Sequence, residues 1–167
     1  MSGALILSAR FEEKAQGFFQ SVRDTHFPRD LNIVPAHLTL FHKLPGDEHD
    51  AVTHAIAKRT GDLEPLPARV IDVRFFGTGG GFLIDCPGLV ELRASLVGDF
   101  GPWLGAQDRQ RHKPHVTYQN KVTKAAATRA YEQVLADFVP FGTKVVALDL
   151  WWYRRHWDEA GTFSLGG

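Results

Sequence analysis

Two short strings 78 residues apart constrain the fold of this chain more than any other feature. The first is Pro35-Ala36-His37-Leu38-Thr39-Leu40-Phe41 and the second is Lys113-Pro114-His115-Val116-Thr117-Tyr118-Gln119. Each reads histidine, apolar, threonine, apolar. On a β-strand successive side chains point to opposite faces, so His37 and Thr39 share one face while Leu38 and Leu40 share the other. His115 and Thr117 repeat the arrangement against Val116 and Tyr118. With eight histidines in the chain, two such matches arise by chance in fewer than about one chain in a hundred at ordinary residue frequencies.

Shifting the sequence by this offset aligns more than the motifs. An apolar run from Ala4 to Phe11 reads as a strand, and its Leu5-Ile6 falls on Leu83-Ile84. A helical pattern over Glu12 to Asp24 follows the first strand, with Ala15, Phe18, Phe19 and Val22 at helical spacing. Leu89, Leu92, Leu96, Val97 and Phe100 give the matching helix after the strand Phe82 to Cys86. The motif strand Ala36 to Lys43 is followed by a helix through Ala51, Val52, Ala55 and Ile56. The second motif strand is followed by an Ala-rich helix over Thr123 to Phe138. Strands over Val70 to Phe76 and Lys144 to Tyr153 close the two halves, and Gly161 to Leu165 is a candidate last strand. Each half reads β-α-β-α-β, the pattern of an internal duplication. The expected organisation is a single domain over 1–167, with lobes of roughly 1–77 and 78–167 facing one another across a central cleft.

Composition narrows the function classes. Nineteen basic residues balance nineteen acidic ones, so no global field draws the protein to nucleic acid or to a membrane, and any polyanion contact is local. A single cysteine rules out an intrachain disulfide and a zinc-finger spacing. Without a signal-peptide pattern or an apolar run of membrane-spanning length, a cytoplasmic protein is expected. No His-Glu-x-x-His, paired cysteines or acidic cluster suggests a metal, and no cofactor is expected. Nothing calls for an obligate protein partner.

The paired motifs and their half-repeats resemble the 2H phosphoesterase superfamily, and more closely its bacterial 2′-5′ RNA ligase and cyclic phosphodiesterase branch. The resemblance covers nearly the whole chain. It implies an α+β fold with two pseudo-symmetric lobes, antiparallel-rich sheets flanking a cleft, and helices outside. It also implies that His37 and His115 are catalytic and that Thr39 and Thr117 bind the substrate phosphate. The flanks depart from the ligase pattern, with Phe41-His42-Lys43 after the first motif and Gln119-Asn120-Lys121 after the second. The chemistry therefore transfers better than the substrate.

The implied reaction is the opening of 2′,3′-cyclic phosphates on RNA ends or small nucleotides. One neutral imidazole takes the proton of an attacking water and one imidazolium gives a proton to the departing ribose oxygen; a histidine pKa near 6.5 allows both states. The threonine hydroxyls donate to non-bridging oxygens. Run in reverse, the same site joins a hydroxyl partner to the cyclic phosphate. Two alternatives stay open: a nucleotide- or RNA-binding module without turnover, and a phosphoesterase for a non-RNA cyclic phosphate such as ADP-ribose 1″,2″-cyclic phosphate.

Around the motifs, Phe41 and Gln119 continue the cleft-facing rows and are candidate pocket residues, as is Lys113. Arg109, Arg111 and Lys113 form a basic run that either guides a phosphate or is a solvated loop. Among Trp151, Trp152 and Tyr153, one is a candidate for stacking on a base and at least one belongs to the core. His26, His42, His49 and His54 are off the motif phase and read as non-catalytic, while His112 and His156 stay undecided. The Gly77 to Gly81 run reads as a hairpin, because it precedes a strand where a dinucleotide fingerprint opens a helix.

Overall fold

The computed structural model describes residues 3–153 and 157–166. Its first strand, β1 (Ala4–Phe11), is almost uniformly apolar because it is buried on both faces. Helix α1 (Glu13–His26) carries Glu13 in its first turn and Arg23 and His26 in its last, which complements the helix dipole. It stops at Phe27, which is extended as a residue before proline prefers to be. The first motif strand, β2 (Leu38–Pro45), leads to α2 (His49–Thr60) and then to β3 (Leu66–Phe75).

The second half repeats this order with β4 (Gly80–Asp85), α3 (Pro87–Phe100), the short α4 (Ala106–Arg109), β5 (His115–Gln119), α5 (Lys124–Asp137) and β6 (Phe141–Tyr153), followed by β7 (Trp157–Ser164). Pro87 occupies the first turn of α3, and Gly101 ends it with a φ of 43° that favours glycine. Thr123 caps α5 by accepting from the Ala126 amide at 3.2 Å. The first motif strand sits two residues later than the sequence suggests, so His37 lies just ahead of β2, while His115 opens β5. His156 lies outside the described residues.

All the pairings are antiparallel, in the order β2-β1-β6-β3-β4-β5, with β7 beside β6. The fold is α+β with pseudo-symmetric halves, as the repeat implies. Sheet membership does not follow the halves of the sequence: each half lends its last strand to the other. β3 pairs with β4, and β6 pairs with β1. The 13-residue β6 is the seam, pairing with β3 over Phe141 to Val145 and with β1 over Val145 to Tyr153. Where β3 departs, β7 takes up the vacated edge of β6. The helices cross over too. Arg93 and Phe100 of α3 pack on Phe41 of β2, while Phe18 and Phe19 of α1 pack on Phe82 of β4.

The two motif strands are the two ends of this order, yet they approach one another in space. The sheet therefore curls until its edges meet. Among the described residues no helix is long and apolar enough to cross a membrane.

Candidate active site

Both motif histidines are held by the same local device. His37 Nδ1 lies 2.8 Å from the Pro35 carbonyl, and His115 Nδ1 lies 2.8 Å from the Lys113 carbonyl. A carbonyl only accepts, so Nδ1–H is the donor in each ring. Nε2 is left to take or give a proton. The segment before His37 is pinned by two glutamines one turn apart on α1. Gln20 Oε1 accepts from the Ala36 amide at 2.7 Å, and Gln16 Nε2 donates to the Ala36 carbonyl. Each ring also meets an aromatic neighbour, Trp157 beside His37 (4.6 Å between centroids) and Phe76 beside His115 (5.5 Å).

Burial pushes the His37 pKa down to about 4 against the stabilising bond to Pro35, and the charges of Arg23 and His115 push the same way. The Thr39 and Thr117 hydroxyls are partly exposed and make no hydrogen bond among the described residues. His37 and Thr39 stand at one edge strand and His115 and Thr117 at the other, on two strands that approach one another in space.

Phe41 and Gln119, expected as pocket residues, are instead buried. Between Thr39, which pairs with Ser8, and Phe41, which pairs with Leu7, β2 carries one extra residue. The same happens between Thr117, opposite Gly81, and Gln119, opposite Gly80. A bulge of this kind shifts the alternation by one. Phe41, 0% exposed, turns into the core against Phe100. Gln119, 5% exposed, turns inward too, and its Nε2 donates to the His26 carbonyl at 3.2 Å. The glycine run serves the second bulge: a Cβ on Gly79 would strike the Gln119 backbone, and one on Gly80 would strike the Tyr118 hydroxyl. Lys113 is exposed, and its carbonyl is what orients His115.

An edge strand leaves backbone groups unpaired, and here buried side chains satisfy them. Arg93 of α3, 7% exposed, donates through Nε to the Leu40 carbonyl at 2.8 Å and through an Nη to the Asp108 carbonyl at 2.8 Å. Its counterpart Arg23 of α1, 4% exposed, donates to the Thr117 carbonyl at 3.3 Å and to Asn32 Oδ1 at 2.8 Å. Each arginine comes from one half and grips the motif strand of the other. Burial lowers both guanidinium pKa values, Arg23 to about 10, and both stay charged at neutral pH.

Asp108 completes the clamp on β2. Its carboxylate accepts from the His42 amide (2.8 Å), the Lys43 amide (2.9 Å) and the His42 ring (3.1 Å). Burial would raise its pKa, but these bonds outweigh it and hold the carboxyl below its usual value. His112 Nε2 donates to the Thr39 carbonyl at 2.8 Å, and its buried Nδ1 has no hydrogen-bond partner among the described residues. Burial lowers the His112 pKa to about 4. His112 thereby has a structural place on the motif strand.

The sequence does hold a signal for the arginines. Arg23 and Arg93 stand four residues after Phe19 and Leu89, inside apolar helical stripes where a charge is out of place. Of the late aromatic residues, Trp152 stacks on His49 at 5.2 Å, and Trp151 donates to Ser8 Oγ at 3.0 Å. Trp151 and His37 share the wall of a cavity of about 350 Å³. Tyr153 is exposed.

The sequence profile of the 2′-5′ RNA ligase superfamily matches residues 11–157. Among solved structures, TT0787 of Thermus thermophilus superposes with a TM-score of 0.69 at 18% identity, covering 98% of each chain. E. coli LigT complexed with 3′-AMP superposes with a TM-score of 0.68 at 14% identity, over 100% of each chain. LigT complexed with NADP+ gives 0.64 at 13% identity, again over 100% of each chain. At such identities the likeness is one of fold. No curated protein matches the chain by sequence.

Proposed function

Because the chain belongs to the 2′-5′ RNA ligase superfamily, we propose that it is a phosphodiesterase that opens 2′,3′-cyclic phosphates of RNA ends or nucleotides by two-histidine acid–base catalysis. One observation carries this reading: His37 and His115 are tied through Nδ1 to carbonyls two residues earlier, so both present Nε2 for proton transfer. LigT, with the same fold, has been solved with nucleotides bound, which supports a ligand of that class here.

In the proposed step a water oxygen attacks phosphorus while one Nε2 takes its proton. The bond from phosphorus to one ribose oxygen breaks, and the other ring's Nε2–H protonates that oxygen. The family's usual product, a 2′-phosphate, makes the 3′ oxygen the leaving group. Thr39 and Thr117 donate hydroxyl hydrogens to the non-bridging oxygens, where negative charge builds up. In the free protein His37 is uncharged at neutral pH, as a proton acceptor must be. A phosphate between the rings favours protonation of either one, so the substrate's own charge helps to set up the donor.

The test is incubation with a 2′,3′-cyclic nucleotide in EDTA, with the phosphate position of the product assigned by phosphorus NMR. Release of a 2′-phosphate is expected, and His37→Ala or His115→Ala should each lower the rate roughly 10²–10⁴-fold. Abolition by EDTA, or full activity in both alanine variants, contradicts the proposal.

A further inference from the structure

The basic run ahead of the second motif forms one wall of a groove of about 710 Å³. Arg74 of β3 also lines it, together with apolar residues that include Ile71, Leu83 and Val97. Five cationic side chains, Arg74, Arg93, Arg109, Arg111 and Lys113, line the groove, against the single carboxylate of Asp85. Arg93 and Arg109 are committed to backbone carbonyls. The side chains of Arg74, Arg111 and Lys113 are exposed and make no ion pair or hydrogen bond among the described residues. In a protein with no net charge, three unengaged cations around one groove make a local electrostatic site for an anion.

The groove begins beside the candidate active site. Leu83 in its wall is the cross-strand partner of His115, and the carbonyl of Lys113 holds the His115 ring. Two residues of chain, at most about 7 Å, separate the Lys113 backbone from that of the histidine.

We propose that this groove is a subsite for the phosphodiester adjoining the reacting one, so that the protein prefers the end of a single-stranded oligoribonucleotide to a lone cyclic nucleotide. The proposal rests on the phosphodiesterase reading of the His37–His115 site. Arg74 and Arg111 contact the adjoining phosphate, while the apolar side chains of Ile71 and Leu83 face the ribose and base. Contacts limited to one or two phosphates also fit a chain whose charges balance overall.

The experiment compares wild-type protein with the Arg74→Ala/Arg111→Ala double variant, both checked for unchanged thermal unfolding. Two substrates are used, a cyclic mononucleotide and a short oligoribonucleotide ending in a 2′,3′-cyclic phosphate. In parallel, binding of a labelled 3′-phosphorylated oligoribonucleotide is followed by fluorescence anisotropy at several salt concentrations. The oligonucleotide should lose at least about 10-fold more kcat/KM than the mononucleotide. The slope of log affinity against log salt should fall by about 0.7, the value for one phosphate contact on a single strand. Equal losses for both substrates, an unchanged salt slope, or a wild-type protein that binds the oligonucleotide no better than the mononucleotide overturns the proposal. If wild-type protein turns over neither substrate, the phosphodiesterase reading fails, and the anisotropy measurement still decides on the groove.

Discussion

His112 makes stability depend on pH in a way that can be calculated. Folded, its Nε2–H is bound to the Thr39 carbonyl and its buried Nδ1 has no hydrogen-bond partner among the described residues, so protonation would bury an unsatisfied N–H. The pKa falls from 6.5 to about 4. Between those values the unfolded chain carries a proton that the folded ring does not. Stability is therefore full above the unfolded value and drains away as pH falls toward the folded one. From pH 8 to pH 5 the loss from this ring is about 2 kcal/mol. The assay is urea unfolding of wild-type protein and His112→Gln at both pH values. Glutamine keeps a donor near Nε2 and has no titrating group. The variant should lose about 2 kcal/mol less than wild type over that interval. If both proteins lose the same amount, the orphaned Nδ1 does not control the titration and the reasoning is wrong.

Other substitutions separate packing from chemistry. Phe41→Ala should cost about 3–5 kcal/mol in denaturant unfolding and change KM little, whereas a pocket residue would raise KM with little loss of stability. Arg93→Met strips the Leu40 and Asp108 carbonyls of charged donors. The cost is about 3 kcal/mol, read by calorimetry as a fall in Tm of roughly 6–12 °C for a chain of this size. Thr39→Val and Thr117→Val should each reduce kcat about 10²-fold with unfolding curves unchanged; wild-type rates in both would remove the hydroxyls from the proposed chemistry.

Most of the fold is legible because it is written twice. The 78-residue offset, the alternation through His37 to Leu40 and the helical stripes of α1 and α3 give the order of elements and the two histidines without any tertiary information. Phe41 and Gln119 escape that reading for one shared reason: alternation carries a side chain to the expected face only while the ladder stays regular. Each motif strand bulges immediately after its threonine, and no residue type in Leu40-Phe41 or Tyr118-Gln119 announces it. The exchange of final strands between halves is also hidden, since Val70 to Phe76 reads as a strand whichever neighbour it takes. Arg23 and Arg93 are visible as charges in apolar stripes, but their partners, the Thr117 and Leu40 carbonyls, are backbone atoms that carry no sequence signature. Asp108, lying in a polar stretch, gives no hint that it is 2% exposed.

The position of β6 has a bearing on how the molecule comes into being. Its partner β1 lies at the opposite end of the chain, Ala4 standing across from Tyr153, and contacts of that sequence separation are slow to form. Without β6, the pair β1 and β2 has one open edge and the set β3, β4 and β5 has another, and the same strand closes both. Until β6 is in place both ladders keep an unpaired edge, and a single strand closes the two together. Neither motif histidine is set in a finished sheet before the other.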